Sequence, residues 1–510
     1  MLQHNLAYLL EKRAGVQPSD VAIVDSHTWK RHSYLDVVQR SCRLAHALKR
    51  RGIGRGDRVC CLTKNCVEYI DLLLAVARLG AIVCPINYRM TVGEVSRIVE
   101  DARPRALICD SEFAEVADTI KREFVCVETV IFFGEGKVPW GERMEEVTEA
   151  QPSDGPPVEG RSEDPFLMLY TAGSTGRPKG VPIAHRNLFF SATNWIIELG
   201  ISRQDYTLSV LPFFHIGGHI LWTLPHLLVG GRVLIVRRFE PEATLRLIEQ
   251  EKVTNTYLIP AMAKMVIASA GWGRHDLGSL RFLGSGGEAV SDRIARAFRG
   301  LGIPILNSYG LTETADGTST IRPYDEGKPA HCIGKPLPFV DIKLVNSGGA
   351  EARPGERGEI AHRGPTVVEG YWHRPEETAK AFRDGWFFSG DIGVRDEDGY
   401  LYFLGRRDEM IVTGGENVYP AEVEQAILGH PKVADVAVLG VPDEKWGQTI
   451  KAIVAPRPDE TVRAEELASY LDTRLSGFKR PRIFEFVAQL PKIGSGKLDR
   501  TLIKRTYGKS

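Results

Sequence analysis

The stretch YTAGSTGRPKG, Tyr170 to Gly180, decides the fold of this chain, because it joins a buried strand to a loop suited to holding an anion. The apolar run that begins at Pro165 predicts the strand. The glycines allow consecutive backbone N–H groups to turn toward one bound anion. Hydroxyls add donors and a lysine adds positive charge, so the predicted phosphate-binding residues are Thr171, Ser174, Thr175, Gly176 and Lys179.

The spacing of this loop differs from that of the P-loop of nucleotide hydrolases. A P-loop has four residues between its first glycine and the Gly-Lys-Ser/Thr that follows, whereas here only Arg177 and Pro178 separate Gly176 from Lys179. Taken alone, a stretch rich in glycine and serine also fits a flexible surface loop. The choice between these interpretations depends on the rest of the chain.

Four further motifs follow in order at wide spacing. They are YGLTET (309–314), SGD (389–391), GRRDEMIVTGGENVYPAEVE (405–424) and PKIGSGK (491–497). Together with the first loop they resemble the signature motifs of the adenylate-forming, or AMP-binding, superfamily, in its branch of acyl-CoA synthetases and fatty-acid–CoA ligases. The resemblance extends from GRGDRV at Gly54 to Lys497.

The pattern of apolar residues predicts an α/β fold. Helices and strands alternate from Asp36 onward, with strands at 58–62 and 81–85, a helix at 69–79 and a capping box at Thr91. The resemblance implies a large N-terminal domain, 1–407, of helix-covered, mainly parallel sheets plus a small β-barrel-like lobe. Within it we expect sub-lobes of about 1–160, 161–340 and 341–407, followed by a small mobile α+β C-terminal domain, 408–510.

Composition limits the classes of partner. The 510 residues include 65 basic and 65 acidic side chains, so no global field favours nucleic acid or an anionic membrane. The segment 215–236 contains histidines, a proline and paired glycines, which disfavours a membrane span. Most of the eight cysteines lie in apolar patterns and are expected to be small buried side chains of a cytoplasmic protein. We also consider a homodimer.

By resemblance, the central motifs bind ATP. Thr312 is expected to hold the α-phosphate, and Glu313 to ligate a Mg²⁺ ion that bridges phosphates, as hard oxygen ligands suit that ion. Asp391 is placed on the ribose hydroxyls with Arg406 alongside. Gly287, Glu288 and Ala289 form a wall of the adenine pocket and face the ring of Tyr309.

One motif suggests a different enzyme. Gly284-Ser-Gly-Gly-Glu-Ala289 satisfies the nicotinamide-dinucleotide fingerprint G-x-G-x-x-A, which would indicate an oxidoreductase. That fingerprint also needs an acidic residue at the end of the next strand. The strand at 303–306 ends instead in Asn307-Ser308-Tyr309, which disfavours the dinucleotide.

The C-terminal motifs are expected to serve two half-reactions. Resemblance makes Lys497 the catalytic cation of adenylation and places the hinge of a moving domain at Asp408. It also places Gly415 beside the tunnel of the thiol, although Gly414-Gly415 fits a simple turn equally well. The stretch 443–448 around Trp446 resembles one that is frequent in fatty acyl-CoA synthetases and supports coenzyme A as the acceptor.

The acyl substrate is expected to be uncharged beyond its carboxylate. His215 occupies the position at which amino-acid-activating relatives have an aspartate, and no Arg or Lys occurs at 211–231. His215 and His219 have intervening glycines and no following Glu, which disfavours a metal site. The predicted pocket is neutral and apolar and consists of Trp195, His215, Trp222 and Gly286 within the segment 284–287.

The sequence therefore predicts an ATP-dependent acid–thiol ligase that produces AMP and pyrophosphate. It activates a medium-chain or cyclic monocarboxylic acid as an acyl adenylate and transfers the acyl group to coenzyme A. Two alternatives stay open: an adenylating enzyme that loads a carrier protein, and a catalytically silent nucleotide-binding paralogue. Luciferase chemistry uses the same adenylate, but nothing in the sequence requires it.

Overall fold

A computed structural model describes residues 4–136, 138–171, 178–288, 290–323, 325, 327–329, 332–492 and 497–508. The strands are β1 Val21–Asp25, β2 Arg31–Ser33, β3 Arg58–Leu62, β4 Ile82–Ile86, β5 Ala106–Asp110, β6 Thr129–Phe133, β7 Glu142–Arg143, β8 Pro165–Thr171, β9 Lys179–Ala184, β10 Tyr206–Ser209, β11 Arg232–Ile235, β12 Asn255–Tyr257, β13 Phe282–Gly286, β14 Ile305–Leu311, β15 Asp316–Thr320, β16 Cys332–Pro336, β17 Asp341–Val345, β18 Arg357–Arg363, β19 Phe382–Arg383, β20 Trp386–Arg395, β21 Leu401–Arg406, β22 Ile411–Thr413, β23 Glu416–Val418, β24 Val433–Asp443, β25 Gly447–Pro456 and β26 Ile483–Phe486.

The helices alternate with these strands through most of the chain. They are α1 Leu6–Val16, α2 Tyr34–Arg50, α3 Val67–Leu79, α4 Val92–Ala102, α5 Ala114–Glu123, α6 Met144–Glu149, α7 His185–Leu199, α8 Leu224–Val229, α9 Pro241–Glu251, α10 Pro260–Ala268, α11 Asp292–Arg299, α12 Pro375–Ala381, α13 Pro420–Leu428, α14 Ala464–Leu471 and α15 Arg500–Tyr507. The predicted capping box is present at the start of α4, where the hydroxyl of Thr91 and the carboxylate of Glu94 pair reciprocally.

A seven-stranded sheet has the order β7-β6-β5-β3-β4-β8-β9. It is parallel except at β9, which turns back antiparallel to β8 after the glycine-rich loop. Its strands are buried, as expected for a parallel sheet with both faces covered by helices. The strands β8 and β9 belong to this sheet although they lie beyond the boundary expected near residue 160.

The second sheet has 14 strands and changes character at β14. Strands β1, β11, β10, β12, β13 and β14 pair in parallel, whereas β14 pairs antiparallel with β15. From β15 the sheet continues through β16, β21, β20, β18 and β17, all antiparallel. Ligands of open α/β sheets bind at the carboxyl ends of strands where the topology changes, so β13 and β14 mark the expected site.

A third, five-stranded sheet contains only strands that follow residue 410, in the order β23-β22-β25-β24, with β26 paired to β25. It packs against α13 and α14 through an apolar core of its own, which includes Val423, Ile427, Val436 and Leu467. The predicted α/β architecture with a small α+β C-terminal unit is confirmed.

Most of the cysteines are buried, as the sequence predicts. All eight cysteines are free thiols, and seven are buried, with Cys126 half-buried. Within the described part of the chain, none of the helices has the length and apolar character to cross a membrane.

Candidate active site

A cavity of about 770 Å³ opens at the carboxyl ends of β13 and β14. This volume suits a small-molecule site. It is lined from several segments distant in sequence, which the fold brings together. The predicted site residues among its lining are Thr171, Lys179, His215, Gly286, Gly287, Thr312, Glu313, Arg406, Asp408 and Lys497.

The YGLTET motif supplies one wall of the cavity. The strand β14 ends at Leu311, and Thr312–Thr314 then form one turn of 3₁₀-helix. The hydroxyl of Thr314 accepts a hydrogen bond from the Leu311 N–H at 3.0 Å, which fixes the turn and presents Thr312 and Glu313 to the cavity. The placement of two side chains thus comes from a single capped turn.

Tyr371 orients Glu313, although no motif in the sequence points to this tyrosine. Its hydroxyl donates to Glu313 Oε1 at 2.9 Å, and Lys179 Nζ lies 5.0 Å from the centre of its ring. Tyr371 therefore joins the cation of the first loop to the acid of the YGLTET motif. All three side chains line the cavity.

Asp391 lies behind Ser389 and Gly390, which line the cavity. Its side chain is 4% exposed, accepts a 2.6 Å hydrogen bond from Tyr309 and forms a 3.0 Å ion pair with Arg406. Burial raises the pKa of Asp391 to about 6, and the neighbouring guanidinium opposes that rise only in part. Arg406 thus lies beside Asp391, as expected, and Tyr309 bonds the same carboxylate.

Lys497 reaches the cavity from the C-terminal unit. A Cβ placed on Gly287, which has a φ of +78°, would lie 3.6 Å from Lys497 Nζ. The charge of Lys497 also helps to lower the pKa of His215 and opposes the rise that burial gives the pKa of Glu288. The ammonium therefore lies between the predicted acyl and nucleotide ends.

The acyl side of the cavity is formed largely by the uncharged segment after β10. Leu211, Phe214, Ile216 and Leu221 line it together with His215. His215 lines the cavity and is exposed there. Desolvation by the surrounding protein atoms is the main cause that lowers its pKa to about 4, and the positive charges of Lys497 and Arg89 lower it further. His215 is therefore neutral at physiological pH.

Trp195 and Trp222 do not line the cavity, which corrects the prediction for these two residues. Both are nearly fully buried behind its wall. The Trp195 indole packs so closely on Gly317 that a Cβ there would lie 2.1 Å from it, and Trp222 packs in the same way on Gly284, at 3.0 Å. The Trp195 indole therefore shapes the pocket through Gly317, which lines the cavity, whereas Trp222 packs on a glycine outside the lining.

The pocket is also less neutral than the sequence predicted. Asp316 lies two residues after the YGLTET motif, is buried and lines the cavity. The exposed Arg89 also lines the cavity. Neither charge lies in the segment 211–231 on which the prediction of a neutral pocket rested. Asp316 belongs to β15, and Arg89 to the turn before α4. The available signal for Asp316 in the sequence was its position, two residues after a site motif.

Gly415 and Trp446 lie away from the cavity lining. Gly414 and Gly415 form the tight turn between β22 and β23, with φ values of +58° and +84°. In this arrangement of the C-terminal unit, the two glycines therefore act as a hairpin turn. No atom lies within 4 Å of a Cβ placed on Gly415. Ser174, Thr175, Gly176 and Ala289 lie outside the described residues.

Comparison with protein families covers most of the chain. Residues 10–372 match the family of AMP-binding enzymes, and residues 422–497 match the AMP-binding enzyme C-terminal domain. The chain belongs to the AMP-binding enzyme family. The predicted superfamily is confirmed, and the nicotinamide-dinucleotide alternative at Gly284 is not supported.

Among curated proteins, this AMP-binding enzyme is 37% identical over 500 residues to a feruloyl-CoA synthase of Amycolatopsis sp., covering 98% of each chain. It is 34% identical over 505 residues to the indoleacetate–CoA ligase of Aromatoleum aromaticum, again with 98% of each covered. The predicted class, a carboxylic acid–CoA ligase, is confirmed.

Among solved structures, the ATP-bound MatB of Rhodopseudomonas palustris superimposes with a TM-score of 0.91 at 29% identity, over 99% of both chains. The same large and small units are thus arranged alike in this protein and in an ATP complex. This agrees with ATP as the nucleotide of the AMP-binding enzymes.

Proposed function

We propose that this AMP-binding enzyme activates a monocarboxylic acid with an uncharged tail, medium-chain or cyclic, and transfers its acyl group to coenzyme A. The observation that carries the proposal is the composition of one cavity. The cavity lining includes three cationic side chains, Lys179, Arg406 and Lys497, which would neutralise the charge of a bound polyphosphate. The segment Leu211–Leu221 adds an apolar wall for the tail of the acid. The two ends meet at Thr312.

The first half-reaction makes the acid a good acyl donor. One carboxylate oxygen attacks the α-phosphorus of ATP, the bond to the β-phosphate oxygen breaks, and pyrophosphate leaves with that electron pair. We propose that Thr312 donates a hydrogen bond to the α-phosphate and that Lys497 holds the carboxylate and phosphate oxygens together. Fixed donors and charges aimed at developing negative charge are an efficient way to stabilise such a step.

We propose that Glu313 is the protein ligand of Mg²⁺. Glu313 lines the cavity, and in the described part of the chain its carboxylate has a hydrogen-bond partner only at Oε1, from Tyr371. Among the described residues no cluster of three or more acidic, histidine or cysteine side chains forms a self-contained metal site. A single carboxylate suits an ion that takes its remaining ligands from phosphates and water. When bound, Mg²⁺ would neutralise phosphate charge and orient pyrophosphate for departure.

The second half-reaction requires a different arrangement of the small unit. The thiol of coenzyme A attacks the acyl carbon, and AMP leaves with the electrons of the mixed-anhydride bond. We propose that the C-terminal domain, 408–510, rotates about Asp408 so that Gly415 replaces Lys497 at the cavity. Asp408 has a side chain 69% exposed and lies in the short turn between β21 and β22, which favours a hinge there.

Two related activities are alternatives to this proposal. A carrier-protein ligase would share the first half-reaction and differ only in its thiol, and a silent paralogue would perform neither. The presence of Glu313, Asp391 and Lys497 favours an active enzyme. Free, mostly buried thiols agree with a cytoplasmic location, which we propose, and the homodimer stays a prediction.

A pyrophosphate-release assay with a panel of acids tests the proposal. We expect octanoate, benzoate or cyclohexanecarboxylate to exceed malonate and phenylalanine, because a buried unpaired charge costs several kcal/mol and about 1.4 kcal/mol already changes a rate tenfold. Adding coenzyme A should yield the thioester. Similar kcat/KM values for malonate and octanoate would contradict the uncharged tail and would identify Arg89 as the counter-ion.

A further inference from the structure

Asp316 is a buried acid in the wall of the proposed acyl pocket. It opens β15, is 8% exposed, and lines the cavity. Its Oδ2 atom is buried and makes no hydrogen bond of ordinary geometry among the residues that the structure describes, although the Trp195 indole and the Gly317 N–H lie close enough to the carboxyl group to lower its pKa. Buried polar atoms almost always have partners, so an unpartnered oxygen beside a ligand cavity indicates a contact that a ligand completes.

The backbone of Asp316 is held in an unfavourable conformation. Its φ is +100°, and that of the preceding Ala315 is +48°, which places both in the region that favours glycine. Such strain persists where surrounding structure enforces it and is concentrated at functional sites. The Asp316 backbone also packs closely on β14, because a Cβ on Gly310 would lie 2.1 Å from the Asp316 carbonyl oxygen.

Other polar groups line the same cavity. The hydroxyls of Tyr257 and Ser308 are hydrogen-bonded to each other at 2.7 Å, and both residues line the cavity. A charge on Asp316 would add to the effect of burial in raising the pKa of Tyr257, so the two groups are near each other. Three strands of the same sheet, β12, β14 and β15, thus contribute polar groups to an otherwise apolar wall.

Asp316 is best suited to an uncharged partner. Burial raises its pKa well above the ordinary value, and hydrogen bonds from the Trp195 side chain and the Gly317 backbone oppose that rise, so the neutral acid is more accessible to Asp316 than to an exposed aspartate. A neutral carboxyl group both donates and accepts a hydrogen bond, which complements a hydroxyl or an uncharged amine. A cationic partner would require two charges to be desolvated together.

We propose that Asp316 is a specificity-determining residue that receives a hydroxyl or uncharged amino substituent on the tail of the acid. The substrate class is then a polar-substituted monocarboxylic acid, and cyclic acids present such a substituent at a fixed distance from the carboxylate. This inference rests on the proposed acid activation. It refines the neutral, apolar pocket by adding one polar position.

The test compares acids that differ by one group. Benzoate and its 2-, 3- and 4-hydroxy and amino derivatives are assayed by pyrophosphate release, with 4-(aminomethyl)benzoate as the cationic probe. We expect at least one hydroxy or amino isomer to exceed benzoate in kcat/KM by about tenfold or more, the scale of one hydrogen bond to a group that would otherwise be unpaired. A preference for the cationic probe, or no preference for any substituent, overturns the proposal.

Two variants assign the preference to Asp316. Asp316→Gly removes the carboxyl and relieves the positive φ, and Asp316→Asn keeps the shape but cannot reproduce a carboxyl group. The preference should vanish in Asp316→Gly and fall in Asp316→Asn. Ser319→Ala is the control, because Ser319 also has a buried unpartnered hydroxyl on β15 but does not line the cavity.

The outcomes separate this inference from the proposed function. If the wild-type protein releases no pyrophosphate with any acid of the panel, the proposed activation itself is wrong. If it turns over benzoate and its derivatives but Asp316→Gly keeps the wild-type ratio between them, only the role of Asp316 is wrong. Circular dichroism and thermal midpoints of each variant show that a changed ratio comes from folded protein.

Discussion

Asp391 illustrates how single residues of the site are held in unfavourable states. A carboxylate on a residue that is 4% exposed is costly to ionise, yet the proposed ribose contact needs its acceptor oxygens. Arg406 and Tyr309 stabilise the ionised form, although burial remains the largest influence on the pKa. At pH 7 the group is therefore mostly ionised but close enough to its pKa for acid to protonate it.

This residue gives a prediction about pH. Because the folded-state pKa of about 6 is above the ordinary value, the carboxylate is lost as pH falls through 6. We expect the affinity for adenosine, measured by calorimetry, to drop by about tenfold from pH 7.5 to pH 5, following the ionised fraction. Adenosine is the suitable probe because it lacks a phosphate, whose own pKa is also near 6.

Two variants sharpen this prediction. Asp391→Asn should bind adenosine about 1.5 to 3 kcal/mol more weakly at pH 7.5, the scale of hydrogen bonds to a charged group, and should lose the pH step. Asp341→Asn is the control, since that exposed acid pairs with Arg363 outside the cavity lining. An unchanged pH profile in Asp391→Asn would refute the ribose contact.

At the scale of elements, β14 and the turn that follows it organise the site. The strand carries Ser308 and Gly310 into the cavity wall, and the turn adds Thr312 and Glu313. Tyr371, from a segment without regular structure, then bonds Glu313. The position of the proposed metal ligand thus depends on a contact between two residues that are 58 apart in the sequence.

Tyr371→Phe tests that contact. We infer that Tyr371 is a positioning residue, so its loss should raise the Mg²⁺ concentration for half-maximal pyrophosphate release several-fold, since hydrogen bonds to charged groups contribute about 1.5–3 kcal/mol. The maximal rate at saturating Mg²⁺ should fall much less. A purely structural role would instead lower the amount of folded enzyme without moving the Mg²⁺ midpoint.

Tyr400→Phe is the matched control for this experiment. Its hydroxyl donates to the carboxylate of Asp325 at 2.6 Å, the same kind of bond, but neither residue lines the cavity. We expect its Mg²⁺ midpoint to equal that of the wild-type protein. Equal shifts in both tyrosine variants would mean that the effect is not specific to Glu313.

At the scale of the whole molecule, the small unit presents Lys497 to the cavity and keeps Gly415 away from it. Lys497 lines the cavity, whereas Gly415 lies in an open hairpin turn away from it. The proposed rotation about Asp408 would exchange them. Both residues belong to the C-terminal unit, so one rigid motion would be sufficient.

Separate assays of the two half-reactions test this rotation. Lys497→Ala should lower acyl adenylate formation by about 10²- to 10³-fold, the scale for removing one fixed charge stabiliser, yet still convert supplied acyl adenylate to thioester. Gly415→Leu should form adenylate and pyrophosphate but obstruct thioester formation. The readouts are pyrophosphate release and thioester formation from synthetic adenylate.

Gly399→Leu controls for the strain that any side chain introduces at positive φ. Gly399 has a φ of +86° and open space around its Cβ position, but it lies in a turn of the N-terminal unit. We expect both of its half-reactions to match the wild type after correction for folded protein. If Lys497→Ala and Gly415→Leu each slowed both half-reactions equally, a single fixed geometry would explain the enzyme better, and the hinge at Asp408 would be withdrawn.

The sequence by itself determined the features that depend on neighbours along the chain. It predicted the strand at 58–62, the capping box at Thr91 and the compact unit after residue 408, because backbone preferences, caps and apolar periodicity act over a few residues. The ordered motifs also determined the family, and with it the type of reaction. These features would be the same in many tertiary arrangements.

Only the tertiary structure decided which side chains face one another in the cavity. Asp316 meets the acyl wall and Tyr371 meets Glu313 because strands and loops far apart in sequence are packed together. The same packing placed Trp195 and Trp222 behind glycines instead of in the pocket. A local pattern shows that a side chain is apolar or charged, but the direction in which it points across a sheet depends on the packing of non-local strands.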